Sequence, residues 1–431
     1  MPAFARACDC VLGRLPRVSV AGPVNGYPGI VAALVHEDYP LVIDLVRQAV
    51  AENPVAALSD PQIKSWLGRR YRNLFLVEAG KDKNALRTAK VPLPLQLIDG
   101  RSGQESLAKR FLKGMPRNQA AVRMPPAVEP DLRGITLLFV PGLMTGLLPV
   151  RAFQSVWPLL EDRFGVRVLG ADVHPVRSCA ANEEDIITAM DTGVGWDAES
   201  QRVSKRSAKA PTDVILLGYS KGATDALNFL VDCPQYRDRI RAFVSWAGII
   251  GGSYIADDIA ARLKDVEVPA TPLSGQISKL LRQIVPVVQA DRVNVRLEQY
   301  EVKAAVAEMT TAVREQWLRE HIEDLAQLGI PTFTVAGVTS VLEVPYYQAV
   351  GAMQLNNYNK YNDMLLTVDQ TRLPIPQATE LATFRGHHWD LGYDPFPWFT
   401  RMGSLNVDHR FARYPALAAL LLFLAELGLL G

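Results

Sequence analysis

Apolar residues follow two rhythms along this chain. Val42, Leu45, Val46, Ala49 and Val50 recur at helical spacing, whereas Ile135–Val140 and Val214–Leu217 are short unbroken apolar runs of the kind carried by strands buried on both faces. Pro331–Gly337 is a similar run, and "VRVLGADVHP" reads as a strand ending in a turn. Helical stretches such as Arg151–Phe164 separate these runs, so the alternation predicts an α/β protein with a mostly parallel sheet and helices on both faces. Upstream, "NLFLVEAG" (73–80) and "PLPLQLID" (92–99) look strand-like, and the proline-rich, polar "RMPPAVEPD" (123–131) reads as a linker. The expected organisation is an N-terminal extension over residues 1–132, of unread role, and a main domain over 133–431.

An insertion at about residues 255–329 exceeds what such a core needs. In it Ile277, Leu280, Leu281 and Ile284 fall at i, i+3, i+4 and i+7, and Val302–Leu328 reads as a longer helical stretch. A helical cap is expected, either packed on the core or lining an acyl pocket, with the apolar stretch Val341–Tyr347 on the same side as a greasy entrance. The terminal "PALAALLLFLAELGLLG" is short for a bilayer and is interrupted by Glu426, so a buried helix is expected and no integral membrane segment.

Charge narrows the partners. Forty-six basic residues against forty-five acidic ones leave no excess for a polyanion, and nucleic acid is not an expected partner. Arg6, Asp9, Arg14 and Arg17 break up the first residues too often for a signal peptide, which makes a cytoplasmic protein the expectation. Four cysteines, two of them as Cys8-Asp9-Cys10, match neither a disulfide framework nor zinc-ligand spacing. Free thiols are expected, with no metal and no cofactor.

The candidate chemistry lies in "LLGYSKGATDALNF" (216–229), where Gly218-Tyr219-Ser220-Lys221-Gly222 joins the apolar run 214–217 to a stretch of helix formers. A serine at so sharp a strand-to-helix turn is pushed out of the backbone, and the flanking glycines remove Cβ atoms that would clash there. Its hydroxyl needs a base, and the base a carboxylate to orient it. Of six histidines, His36, His321 and His409 suit structural or surface roles. His174 follows a strand and is a candidate to line the site, while His387 and His388 in "TFRGHHWDLGY" are better placed as the base. Asp363, in "NKYNDMLLTVD", lies about 25 residues before that pair.

The order Ser220, Asp363, His388 is that of the α/β-hydrolases, and over roughly 133–431 the chain resembles that superfamily and, within it, the bacterial lipases. "LLFVPGLMTG" looks like the lipase strand and turn that ends in His-Gly, with Pro141 in the histidine's place. "VLGADVHPVRS", "VSWAGIIGGSYIAD" and "YNDMLLTVD" are similar to later family segments, although Met364 stands where the acid loop normally has glycine. The resemblance implies Leu143 and Lys221 as the backbone donors of an oxyanion hole, and it favours His388 over His387, because an aromatic residue commonly follows the catalytic histidine. A Ser220-Lys221 dyad is a minor alternative. The implied activity is hydrolysis of a small-molecule or lipid-like ester through an acyl-enzyme on Ser220. Its rivals are a thioesterase, amidase or polyester depolymerase with the same triad, and an inactive hydrolase fold used as a binding module. Oligomeric state, substrate-binding residues and leaving group stay open at this stage.

Overall fold

The computed structural model describes residues 27–89, 103–266, 274–284, 288–289, 292–293, 296–405 and 409–430. Six strands alternate with helices: β1 (Ile135–Val140), β2 (Arg167–Gly170), β3 (Asp213–Tyr219), β4 (Ile240–Trp246), β5 (Thr332–Val338) and β6 (Ala378–Arg385). They form one sheet in the order β2-β1-β3-β4-β5-β6, and each adjacent pair is parallel. Alternate residues of a strand face opposite layers. Thus Ile215, Leu217 and Tyr219 of β3 enter one core, while Val214 and Leu216 enter the other. This explains why β3 is an unbroken apolar run rather than an alternating one. Parallel pairing also brings all carboxyl ends to one edge, where α/β sheets place their ligands.

β6 closes one side of the sheet, and the N-terminal region covers it. Leu112 bridges Phe384 in antiparallel sense and the Lys113 amide donates to the Thr383 carbonyl at 2.8 Å, so part of the edge ladder is satisfied within the chain. The helix Pro61–Lys81 lies against both β6 and the terminal helix Arg413–Glu426. Buried Arg70 pairs with Glu426 at 2.5 Å, and the Tyr71 hydroxyl donates to the Ala416 carbonyl at 3.1 Å. Extension and sheet therefore share one continuous apolar core.

Several local expectations are corrected. "NLFLVEAG" is helical, the second half of Pro61–Lys81, whose start is set by Asp60 accepting from the Gln62 and Ile63 amides and by Pro61 in the first turn. It mimicked a strand because most of this stretch is covered: Asn73, Leu74, Phe75 and Leu76 are all buried, which erases the polar stripe that marks a surface helix. The stretch from Arg151 becomes helical only at Trp157, after Phe153 takes a left-handed turn (φ 56°) and its amide bonds to the Gly392 carbonyl. Val302–Leu328 is helical as expected, in two pieces, Val302–Ala307 and Thr311–Gln327. The chain breaks there because the Met309 carbonyl turns to the Ser253 amide (2.8 Å) and Asp257 holds the Thr311 amide (2.8 Å) and hydroxyl (2.7 Å). The segment 92–99 and Cys8-Asp9-Cys10 lie outside the described residues.

In the insertion, Ile277, Leu280 and Leu281 are buried in the same core as Leu147 and Leu148, so this face is packing surface. The Ile284 side chain lies outside the described residues. The terminal helix Arg413–Glu426 is buried from Pro415 to Leu424. Among the described residues no helix is long and apolar enough to cross a membrane.

Candidate active site

The carboxyl end of β3 runs directly into Ser220, which has φ 55° and ψ −126°, and then into the helix Lys221–Asp232. A non-glycine residue so far into positive φ is strained and persists only where its surroundings over-determine it. Close packing does this here. A Cβ on Gly222 would sit 2.0 Å from the Val140 carbonyl oxygen, one on Gly218 2.5 Å from Ala223 Cα, and one on Gly142 2.7 Å from Ser220 Cβ. Three chain segments thus meet where only glycine fits, and Ser220 is held by its amide to the Trp246 carbonyl (3.2 Å) and by its carbonyl accepting from the Ala223 and Ile249 amides (both 3.1 Å).

Loops leaving the same sheet edge bring in His388 and Asp363. His388 Nε2 lies 2.8 Å from Ser220 Oγ and its Nδ1 2.8 Å from Asp363 Oδ2, so the three predicted residues form one hydrogen-bonded chain. Ser220 is 7% exposed, His388 1% and Asp363 0%, which leaves the serine as the member nearest solvent. The other oxygen of Asp363 accepts from the Leu365 (3.0 Å) and Leu366 (2.8 Å) amides, so the carboxylate is satisfied at both ends. Met364, in the position where glycine was expected, does have a glycine-like φ of 85°, and its side chain is buried against Val344 and Ala352. That burial offsets the backbone strain. The His388 amide bonds to the Asp363 carbonyl at 2.8 Å, its carbonyl accepts from the Tyr219 hydroxyl at 2.8 Å, and the Tyr219 ring stacks on the imidazole.

His387 faces elsewhere. Its Nε2 lies 3.0 Å from Asp390 Oδ1, and His409 Nδ1 lies 3.2 Å from the same oxygen. Burial would raise the Asp390 pKa, but His387 and His409 outweigh it and hold the carboxyl well below its usual range. Among the described residues these three are the group whose donor atoms converge closely enough for a metal ion. The Asp390 amide donates to His387 Nδ1 at 3.3 Å, which leaves that ring's Nε2 to carry the proton between Asp390 Oδ1 and His409 Nδ1, the latter 2.9 Å away. Arg413 at the start of the terminal helix donates to the Asp390 carbonyl (2.9 Å) and to Asp394 (2.8 Å), fastening the loop that carries His388. His409, expected in a structural or surface role, is a buried member of this anchor; His36 is exposed and His321 half-buried.

The two predicted backbone donors lie next to segments that touch the serine. Gly142 passes over Ser220, Leu143 follows it, and Lys221 opens the helix, where a first-turn amide has no partner within the helix. Neither the Leu143 nor the Lys221 amide has an acceptor among the described residues. The Lys221 side chain is no partner of Ser220: its Nζ is buried 2.5 Å from Asp225 Oδ1, and although burial lowers its pKa, Asp225 outweighs this and keeps it charged. His174 is buried below the turn. Its Nδ1 accepts from the Val176 amide at 3.1 Å, and burial together with Arg296 brings its pKa down to about 4. Sequence reasoning missed Tyr219, Asp225, Asn182 and Asp390 as parts of the site's support, since what marks them is burial of polar groups.

No protein-family profile and no curated protein matches the chain. Among solved structures, a metagenomic carboxyl esterase is similar over 83% of this chain and 91% of its own, with a TM-score of 0.58 and 21% identity. Lipase 1 from Pelosinus fermentans is similar over 67% of this chain and 98% of its own, with a TM-score of 0.41 and 12% identity. With its strand order and the first of these likenesses, the chain has the α/β-hydrolase fold.

Proposed function

We propose that this chain is a serine hydrolase of carboxylic esters that works through an acyl-enzyme on Ser220. The observation that carries the reading is the continuous chain Ser220 Oγ, His388 Nε2, His388 Nδ1, Asp363 Oδ2, with 2.8 Å at both junctions, on a serine at φ 55°. Likeness in fold to a carboxyl esterase agrees with it.

In this reading His388 Nε2 takes the Ser220 proton as Oγ bonds to the ester carbonyl carbon, and the carbonyl oxygen becomes an oxyanion. The Leu143 and Lys221 amides donate to it; such preorganised donors act where charge develops. Asp363 accepts from His388 Nδ1–H, which fixes the tautomer that leaves Nε2 free as the base and stabilises the imidazolium. Collapse breaks the bond to the alcohol oxygen, which leaves with the proton from His388. Water then attacks the acyl group with the same proton path and restores Ser220. No step needs a metal or a redox group. The test is hydrolysis of p-nitrophenyl esters from acetate to long acyl chains by the wild type and by Ser220→Ala. Turnover by the wild type that vanishes in the variant supports the reading; equal turnover by both, or none by either, overturns it.

A further inference from the structure

We propose that Asn182 is a positioning residue that couples the two oxyanion-hole amides to each other; this rests on the function proposed above. The two amides belong to separate parts of the chain. Leu143 lies in the turn after β1, and Lys221 at the start of the helix after β3. An oxyanion has to meet both at hydrogen-bond distance at once, so their relative placement matters more than the placement of either.

A buried polar path joins them. On one side Lys221 Nζ lies 2.5 Å from Asp225 Oδ1, one helical turn further on, and Asp225 Oδ2 accepts from Asn182 Nδ2 at 3.0 Å. On the other, Asn182 Oδ1 accepts from the His174 amide at 3.1 Å, the turn 174–176 is closed by the Val176 amide on His174 Nδ1, and the Pro175 carbonyl accepts from the Met144 amide at 2.9 Å. Met144 follows Leu143 and is itself left-handed at φ 65°; its bond to Pro175 pins the Leu143–Met144 peptide, the one directly after the peptide that carries the Leu143 amide. Asn182 uses its donor toward the nucleophile helix and its acceptor toward the oxyanion turn. An amide side chain can do both at once, whereas a carboxylate can only accept. Lys221, Asp225, Asn182 and His174 are all at least 98% buried, so water does not replace these bonds. The lysine after Ser220 is then the end of a strut.

Asn182→Leu keeps the side chain's bulk and removes both bonds. Expected is a fall in kcat of roughly ten- to hundredfold with KM held within about twofold, since the bonds bear on the transition state rather than on ester binding. Affinity for a trifluoromethyl ketone, which forms a tetrahedral oxyanion on the serine, should fall by the same factor. A paired swap, Asn182→Asp with Asp225→Asn, keeps the net charge and an amide-to-carboxylate bond and should recover most of the lost kcat. Should Asn182→Leu fail to fold, Asp225→Asn, which keeps shape but satisfies only one of its two donors, is expected to show the same split at about three- to tenfold. Unchanged kcat and ketone affinity in folded variants, or equal losses in the single variant and the swap, overturn the inference. If the wild type neither hydrolyses esters nor binds the ketone, it is the parent reading that fails.

Discussion

The serine and its histidine are one hydrogen bond apart, yet they are held by different physics. Ser220 sits where β1, β3 and the following helix approach so closely that Gly142, Gly218 and Gly222 have no room for a methyl group. His388 sits on a loop pinned by directed bonds: its amide to Asp363, its carbonyl to the Tyr219 hydroxyl, and the neighbouring Asp390 to two histidines and Arg413. Backbone contact is a hard constraint that a single carbon atom breaks. Hydrogen bonds are a graded one, in which each lost partner costs a part of the whole.

The sharpest probe of that contrast is the pair of adjacent histidines. Removing Ser220 or His388 as alanine variants should lower kcat by about 10⁶, the scale for residues that act as one unit. His387→Ala touches only the anchor around Asp390, so its kcat is expected to stay within about tenfold of the wild type while its melting temperature falls. Steady-state kinetics beside thermal denaturation check both; a larger kcat loss for His387 than for His388 breaks the comparison.

Asp363→Asn comes next. The Leu365 and Leu366 amides already claim one oxygen, so the new amide group would turn its NH2 toward His388 and force the wrong tautomer, a change that costs about 10⁴ in kcat in comparable triads. The variant should remain folded by circular dichroism. On the other side of the contrast, Gly222→Ala introduces a Cβ 2.0 Å from the Val140 oxygen, and a destabilisation beyond about 4 kcal/mol, read as loss of soluble folded protein, is expected.

The sharp strand-to-helix turn at Ser220 was legible in the sequence because its cause is local: an apolar run, two glycines around a serine and a helix former after it all lie within "LLGYSKGATDALNF". Asp363 and the His387-His388 pair were legible as two loops in a given order, and less as individual atoms, since His387 and His388 differ in sequence only by their neighbours. Helix 61–81 misled for the opposite reason: its amphipathic pattern is erased by burial, and burial is a property of the packed whole. The supporting residues Asn182, Asp225, Asp390 and His409 are polar and scattered over more than 200 residues, and nothing in their spacing announces that the fold buries them together.

The smallest expected effect concerns His174, whose pKa is brought from 6.5 down to about 4 in the folded chain. The unfolded state then binds more protons between these values, so stability conferred by the neutral ring is full above pH 6.5 and is lost as the pH falls toward 4. On the order of 3 kcal/mol is at stake. Urea unfolding at a series of pH values should give a flatter profile over this window for His174→Gln than for the wild type; matching slopes would remove His174 from the account.

The central claim is that Ser220 is the nucleophile and His388 its base. Intact-protein and peptide mass spectrometry after reaction with a fluorophosphonate tests it most directly. The account predicts one adduct per chain, on the peptide carrying Ser220, absent in Ser220→Ala, strongly slowed in His388→Ala and formed at near wild-type rate in His387→Ala. An adduct on another residue, or labelling that persists in Ser220→Ala, would contradict it.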